Sequence, residues 1–231
     1  LLTELDIRVP PGFATSSALF RQFVSHNNLE LQIKESLRKL SSGVWSLQQT
    51  GTHIRQAFLA GRWPDSIAKA ITQHYSQFCQ QNGQKSLDVA VRSSATAEDL
   101  PDASFAGQQE TFLNIRGEQA LLDSCQQCFA SLFTDRAISY REAKGFDHLK
   151  VALSVGIQMM VRSDKGCSGV MFSIDTETGF DKMVVINGAW GLGESVVQGS
   201  VDPDEYRIYK PFLADAALMP LVSKQLGSKL I

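Results

Sequence analysis

The spacing of apolar residues changes near residue 87, and this change restricts the folds open to the chain. Two earlier groups recur at helical spacing: Leu29, Ile33, Leu37 and Leu40, then Ile67, Ile71, Tyr75 and Phe78. Such stripes are typical of amphipathic helices that bury one face. In segment 87–91 apolar residues alternate instead, which indicates a half-buried strand. A helical first third is therefore predicted to precede a mixed remainder.

Caps and turns locate several elements. Thr15 or Ser16 suits the N-cap of a helix that runs through about Val24, and Pro64 and Asn82-Gly83 suit the two ends of a later helix. Strands are predicted at 109–115, 151–161, 168–174, 183–186 and 204–209, and one or two helices within 118–145. The turn at 164–166 favours a hairpin between the strands that flank it. Together these elements predict an α+β fold with largely antiparallel sheet.

The composition excludes several classes of protein. At 231 residues, with 43% hydrophobic and 20% charged residues, the chain is typical of a soluble globular protein of one large or two small domains. A formal net charge of -2 argues against a broad nucleic-acid-binding surface. Because no apolar run approaches the roughly 20 residues of a membrane span and no signal peptide is recognisable, we expect a cytoplasmic protein without a membrane partner.

Some residues suggest a metal or catalytic site, but their spacing does not favour one. Cys125 and Cys128 form a CxxC pair without a second pair, so packing within a helix is the favoured interpretation. The four histidines lack partners at catalytic spacing and are expected to be solvated or capping residues: His26, His53, His74 and His148. Gly191 and Gly193 lack the third glycine of a dinucleotide fingerprint, and no P-loop motif is present.

A polar segment follows the strand 87–91. Arg92, Ser93, Ser94 and Thr96 are expected to enter a loop together. A guanidinium offers paired donors to phosphoryl oxygens, and hydroxyls beside backbone N–H groups can complete an anion site. Arg92 is therefore the first candidate for a phosphate ligand.

The same segment allows plainer interpretations. It is also consistent with an ordinary hairpin that has a polar connection. Arg92 is also able to form a surface ion pair with Glu98 or Asp99. The serine hydroxyls are able to satisfy local backbone groups, as they often do in loops.

Two long motifs carry a family resemblance. The segment 89–114, which begins VAVRSSATAEDLP and ends ETFLN, resembles the signature of the nucleotide-binding domain shared by pyruvate phosphate dikinase, phosphoenolpyruvate synthase and rifampin phosphotransferase. The block GAWGLGESVVQG at 188–199, followed by VDPDE at 201–205, is similar to the synthase branch of that family. Nearly the whole chain fits the pattern, including SGVMFS at 168–173.

The resemblance implies an ATP-grasp-like architecture, in which a nucleotide lies in a cleft between two α+β lobes. It also implies that 1–231 is part of an AMP/ATP-binding domain that is truncated at both ends. Possible subdomains are a helical one at about 1–86 and a mixed one at 87–231. A cleft between two such subdomains would suit a nucleotide, because ligand sites favour interfaces of this kind.

The resemblance also implies a set of site residues. It assigns a catalytic and phosphate-binding role to Arg92 and nucleotide contacts to Ser93, Gly107, Thr111, Gln158, Met159, Met160 and Val161. Gly107 and Thr111 would border the phosphates. The backbone of 158–161 would form a hinge that pairs with the adenine edge, although Met159 and Met160 are equally suited to filling the core.

The implied activity is that of a phosphotransferase that makes phosphoenolpyruvate from pyruvate, ATP and water through a phosphohistidine on another domain. ATP and Mg²⁺ are the implied cofactors, and the phosphohistidine swivel domain and the pyruvate-binding domain are the implied partners. The magnesium ligands are expected beyond Ile231, so no metal ligand is assigned here. Two alternatives stay open: the nucleotide domain of a rifampin phosphotransferase, and a non-catalytic nucleotide-binding or docking module.

Overall fold

The computed structural model describes residues 7–95, 99–100, 103–104, 110–214 and 223–225. Helices and antiparallel sheets are mixed, so the α+β expectation is confirmed. The chain divides into two compact units, Leu1–Met160 and Val161–Ile231.

The helices of the first unit are α1 Ser17–His26, α2 Leu29–Ser41, α3 Leu47–Leu59, α4 Asp65–Gln81, α5 Glu118–Ser131 and α6 Asp135–Lys144, and the second unit contributes α7 Glu194–Val197. The strands of the first unit are β1 Gly12–Ala14, β2 Asp88–Ala95, β3 Asp99–Leu100, β4 Ala103–Ser104, β5 Thr111–Arg116 and β6 Leu153–Met159. The second unit contains β7 Cys167–Phe172, β8 Met183–Trp190, β9 Asp204–Tyr209 and β10 Ser223–Gln225. Short 3-10 helices cover Ser163–Lys165 and Lys210–Ala214.

The main sheet of the first unit has the strand order β1-β6-β2-β5, with all neighbours antiparallel. Val89 and Val91 of β2 and Val155 of β6 are fully buried on its inner face, where they join the aromatic core of the helices. Phe23 and Phe58 stack within that core. Burial of one alternate set of strand residues leaves the other set on a more exposed face.

Two polar side chains tie the helices together. The Tyr75 hydroxyl donates to the carbonyl oxygen of Leu87 at 2.7 Å and accepts from the N–H of Gly117 at 3.0 Å. The Gln126 amide donates to the carbonyl oxygens of Phe58, Leu59 and Gly61 at 2.7, 3.0 and 2.8 Å. These bonds satisfy backbone groups that would otherwise lie buried without partners.

The second unit contains a four-stranded sheet of order β10-β9-β8-β7. Val185 and Val201 are the buried apolar residues in its described part. Arg207 on β9 donates to the carboxylates of Glu205 at 2.7 Å and Asp175 at 3.4 Å. The backbone N–H of Glu177 and the hydroxyl of Thr178 hold the pKa of Asp175 below its usual value, and Arg207 adds to this effect.

Most predicted elements are confirmed, including Ser16 as the N-cap of α1, two helices within 118–145 and the strand at 204–209. The prediction of a hairpin around 164–166 is wrong. Strand β6 pairs on both edges with β1 and β2, which leaves no edge for β7, and β7 pairs with β8 instead. Helix α3 was not anticipated as a separate element, although its Ser46 capping box and its buried Ile54 and Phe58 are a usable signal.

Candidate functional site

Arg92 lies within strand β2, where the sequence predicted a loop. The strand continues to Ala95 because Arg92–Ala95 pair residue by residue with Gly156–Leu153 of β6. The loop prediction for Arg92, Ser93 and Ser94 is therefore wrong, and Thr96 lies outside the described residues. Arg92 also lies on an interior strand and not at the edge of the sheet, so pairing on both sides fixes its backbone.

The side chain of Arg92 points to the face of the sheet opposite the helical core, which we call the open face. Its neighbours there are small: Ser94 two residues along, Gly156 directly across on β6, and Ala14 across from Gly156 on β1. Gly12 continues this row beside Gln158. Short side chains beside a long cation leave room for a ligand to lie against the backbone.

Arg92 is exposed, and among the described residues no carboxylate or hydrogen-bond acceptor pairs with its guanidinium. Of the alternative ion-pair partners, Glu98 and the side chain of Asp99 lie outside the described residues. The described surroundings therefore leave five N–H donors available to an anion.

Thr111 and Ser93 differ in the direction they face. Thr111 lies directly across from Arg92 on β5 and is exposed. Strand alternation places Ser93 on the opposite face from Arg92. Its hydroxyl and its backbone N–H both donate to the carbonyl oxygen of Glu110, at 3.2 and 3.3 Å. These bonds agree with the alternative interpretation, in which the serine hydroxyls satisfy local backbone groups. Gly107 lies outside the described residues.

Segment 158–161 ends β6 and leads into the second unit. The N–H groups of Met159 and Met160 donate to the carbonyl oxygens of Pro11 and Asp88, both at 2.9 Å, so these two donors already have partners. The Gln158 side chain donates to the carbonyl oxygen of Pro10 at 3.0 Å. Met159 packs against the core, as one interpretation of the methionines anticipated, whereas Val161 is 59% exposed.

The expectation that His148 is solvated or capping is wrong. Its side chain is only 11% exposed, and its Nδ1 accepts a hydrogen bond from Nε of the fully buried Arg141 at 2.9 Å. Burial lowers the pKa of His148 to about 4, with a further contribution from the charge of Arg141. Burial likewise lowers the pKa of Arg141 to about 10. The accepting nitrogen and the low pKa make His148 a neutral partner of a buried cation.

The two cysteines of the CxxC pair lie side by side in α5 as free, buried thiols, so the prediction of helix packing is confirmed. Burial raises the pKa of Cys125 to about 12 and also raises that of Cys128, so both remain protonated at neutral pH. Within the described ranges, no group of three or more His, Cys, Asp or Glu residues is arranged to hold a metal ion.

Sequence comparison identifies the family. The family described as "Pyruvate phosphate dikinase, AMP/ATP-binding domain" matches residues 1–231. The chain belongs to this family. The resemblance carried by the motifs at 89–114 and 188–205 is thereby confirmed, and the open face around Arg92 lies in a domain of a nucleotide-binding family.

Three relatives of the chain share one name. It is 52% identical to a phosphoenolpyruvate synthase of Synechocystis sp. and 51% identical to that of Escherichia coli, covering 100% of this chain and 29% of each relative. It is 48% identical to the synthase of Aquifex aeolicus over 99% of this chain and 27% of the relative. The chain thus spans less than a third of the length of these relatives. No helix in the described parts is long and apolar enough to cross a membrane.

Sequence reasoning missed the small residues that surround Arg92. Ser154 and Gly156 alternate with Leu153, Val155 and Ile157, which are buried. This period-two alternation of small and large residues was a signal for a strand with one bare face.

Proposed function

We propose that this chain is the ATP-binding part of a cytoplasmic phosphotransferase that makes phosphoenolpyruvate from pyruvate, ATP and water. The observation that carries the proposal is the guanidinium of Arg92, which is exposed and without a described partner on a small-residue face. Membership of an AMP/ATP-binding family supports a nucleotide as the ligand of this cation. The shared name of the relatives favours the synthase over a rifampin phosphotransferase.

The finer architecture belongs to the same proposal. We infer an ATP-grasp-like domain, with the phosphates of ATP on Arg92 and Thr111 and the adenine near segment 158–161. Because Met159 and Met160 use their N–H groups within the sheet, the Met160 carbonyl oxygen is the group we assign to the adenine edge. Gly107 would border the phosphates, as the resemblance implies, while Ser93 would support the strand from the other face.

The contribution of this chain to catalysis is electrostatic. In phosphoryl transfer, negative charge is distributed over the oxygens of the group that moves, and catalysis depends on positioning and on neutralising that charge. Strands on both sides fix the backbone of Arg92, which would position its guanidinium on the open face to hold phosphate oxygens. The acceptor is inferred to be a histidine on another domain, from which the phosphoryl group passes to pyruvate.

Magnesium would assist this chemistry by neutralising phosphate charge. Mg²⁺ usually binds one or two carboxylates together with substrate phosphates and waters. Among the described residues, no group of three or more His, Cys, Asp or Glu side chains is arranged to hold a metal ion, and we assign none of them as a ligand. We assign no step to the metal here.

Titration calorimetry with ATP and Mg²⁺ tests the proposal. Arg92→Ala should weaken ATP binding about 10- to 100-fold, because a hydrogen bond to a charged group contributes roughly 1.5 to 3 kcal/mol. Arg116→Ala is the matched control, since Arg116 is an exposed arginine of the same sheet. Equal affinities in wild type and Arg92→Ala would contradict the proposed role, and no ATP binding by the wild type would favour the docking-module alternative.

A further inference from the structure

Asn114 has an unusual backbone conformation. Its φ is +57°, in the left-handed region that side chains other than glycine rarely adopt. The other such residue among those described is Asn28, the N-cap of α2, where helix geometry changes anyway. Asn114 instead lies inside strand β5, beside the strand that carries Arg92.

A β-bulge produces this conformation. Ile115 pairs with Val89 and Phe112 pairs with Val91, so Leu113 and Asn114 together oppose the single residue Ala90. Bulges redirect side chains and are over-represented next to active sites. Ala90 belongs to the same alternate set as Arg92, so the bulge lies beside the open face.

Asn114 lacks the side-chain hydrogen bond to described backbone that usually accompanies asparagine at positive φ. Asparagine tolerates positive φ because its side chain can hydrogen-bond to nearby backbone. Here Asn114 is exposed, and its carboxamide makes no hydrogen bond with any described residue. Glycine would satisfy the backbone at lower cost, so the carboxamide itself needs an explanation.

The position of the bulge along β2 indicates which part of a bound nucleotide would lie beside Asn114. Ala90 lies midway between Arg92, on which we place the phosphates, and Asp88, whose carbonyl oxygen binds the N–H of Met160 at 2.9 Å. Each interval is two strand residues, or roughly 6 to 7 Å. A nucleotide with its base near Met160 and its phosphates on Arg92 therefore has its sugar at the level of Ala90 and Asn114.

We propose that the Asn114 carboxamide hydrogen-bonds the ribose hydroxyls of ATP. A carboxamide both donates and accepts, which suits a pair of hydroxyl groups better than it suits a phosphate. This inference rests on the proposed function, because it takes the positions of the base and the phosphates from it.

The experiment compares ATP with inorganic tripolyphosphate, which has no sugar, as ligands of the purified protein in calorimetry. The informative variant is Asn114→Gly, which removes the carboxamide while tolerating positive φ, so folding is preserved and melting temperature serves as the check. We expect Asn114→Gly to weaken ATP binding about 5- to 20-fold and to leave tripolyphosphate binding unchanged, as expected for the loss of one or two hydrogen bonds. Arg92→Ala should weaken the binding of both ATP and tripolyphosphate.

The outcomes separate the two proposals. ATP binding by Asn114→Gly at the wild-type affinity would overturn the ribose contact while leaving the proposed function intact. An equal loss of ATP and tripolyphosphate binding would also overturn it, because the carboxamide would then be bound to phosphate. Failure of the wild type to bind ATP would overturn the proposed function and this inference together.

Discussion

Arg92 and Thr111 lie directly across from each other on the neighbouring strands β2 and β5, and both are exposed. Directly opposed residues in an antiparallel pair have Cβ atoms about 5 Å apart. A guanidinium and a hydroxyl at that separation can bind oxygens of the same phosphate group. The pair is therefore the centre of the candidate site.

Thr111 provides a test of that geometry. Thr111→Val removes the hydroxyl and keeps the β-branched shape, so we expect ATP affinity to fall about 3- to 10-fold through loss of one hydrogen bond. Thr111→Ser keeps the hydroxyl and should retain most of the affinity. Calorimetric titration with ATP compares the three proteins. A valine variant that binds as well as the serine variant would show that the hydroxyl makes no contact.

Gln126 provides a test of how the helices are held. Gln126→Leu leaves three carbonyl oxygens at the end of α3 without their donor, and we expect a loss of about 2 to 4 kcal/mol in the free energy of unfolding. Gln126→Glu should be at least as destabilising, because it places a carboxylate against those oxygens. Urea unfolding followed by far-ultraviolet circular dichroism measures both. The exposed neighbour Gln127 provides the control: Gln127→Leu should change stability by no more than about 0.5 kcal/mol.

The Arg141–His148 pair predicts a dependence of stability on pH. The pKa of His148 is about 4 in the folded protein and 6.5 without the fold, so between these values the unfolded chain binds a proton that the folded one excludes. The contribution of neutral His148 to the free energy of unfolding is therefore complete above pH 6.5. It is lost as the pH falls towards 4, by an amount on the order of 3 kcal/mol.

His148→Gln isolates this effect, since glutamine can still accept from Arg141 but does not titrate. Unfolding free energies measured at several pH values should fall less steeply towards pH 4 in the variant than in the wild type. His74→Gln is the control, because His74 is exposed on α4. Parallel pH profiles for wild type and His148→Gln would show that His148 does not govern this dependence.

Much of the fold could be predicted because local patterns carry it. Helical spacing located α2 and α4, and a proline and an Asn-Gly pair marked the ends of α4. The strand predicted at 204–209 matches β9 at its full length, although its residues are half-buried and not buried as expected. The motif at 89–114 contains both Arg92 and Thr111, although the motif alone does not show that they lie opposite each other. Residue type and period determine which face of an element is apolar, and that information lies within a few neighbouring residues.

The tertiary structure alone decided how the strands pair. Any strand offers the same backbone N–H and C=O groups to a neighbour, so the period within β6 does not indicate whether it pairs with β7 or with β1 and β2. Pairing on both sides of β2 made Arg92 part of a strand, and a mismatch in length against β5 produced the bulge at Asn114. Arg141 and His148 are only seven residues apart, but their bond depends on the turn that follows α6 and on the packing that buries Arg141. Sequence by itself therefore determined most of the elements and the candidates for the site, whereas long-range pairing and packing determined which of those candidates share a face.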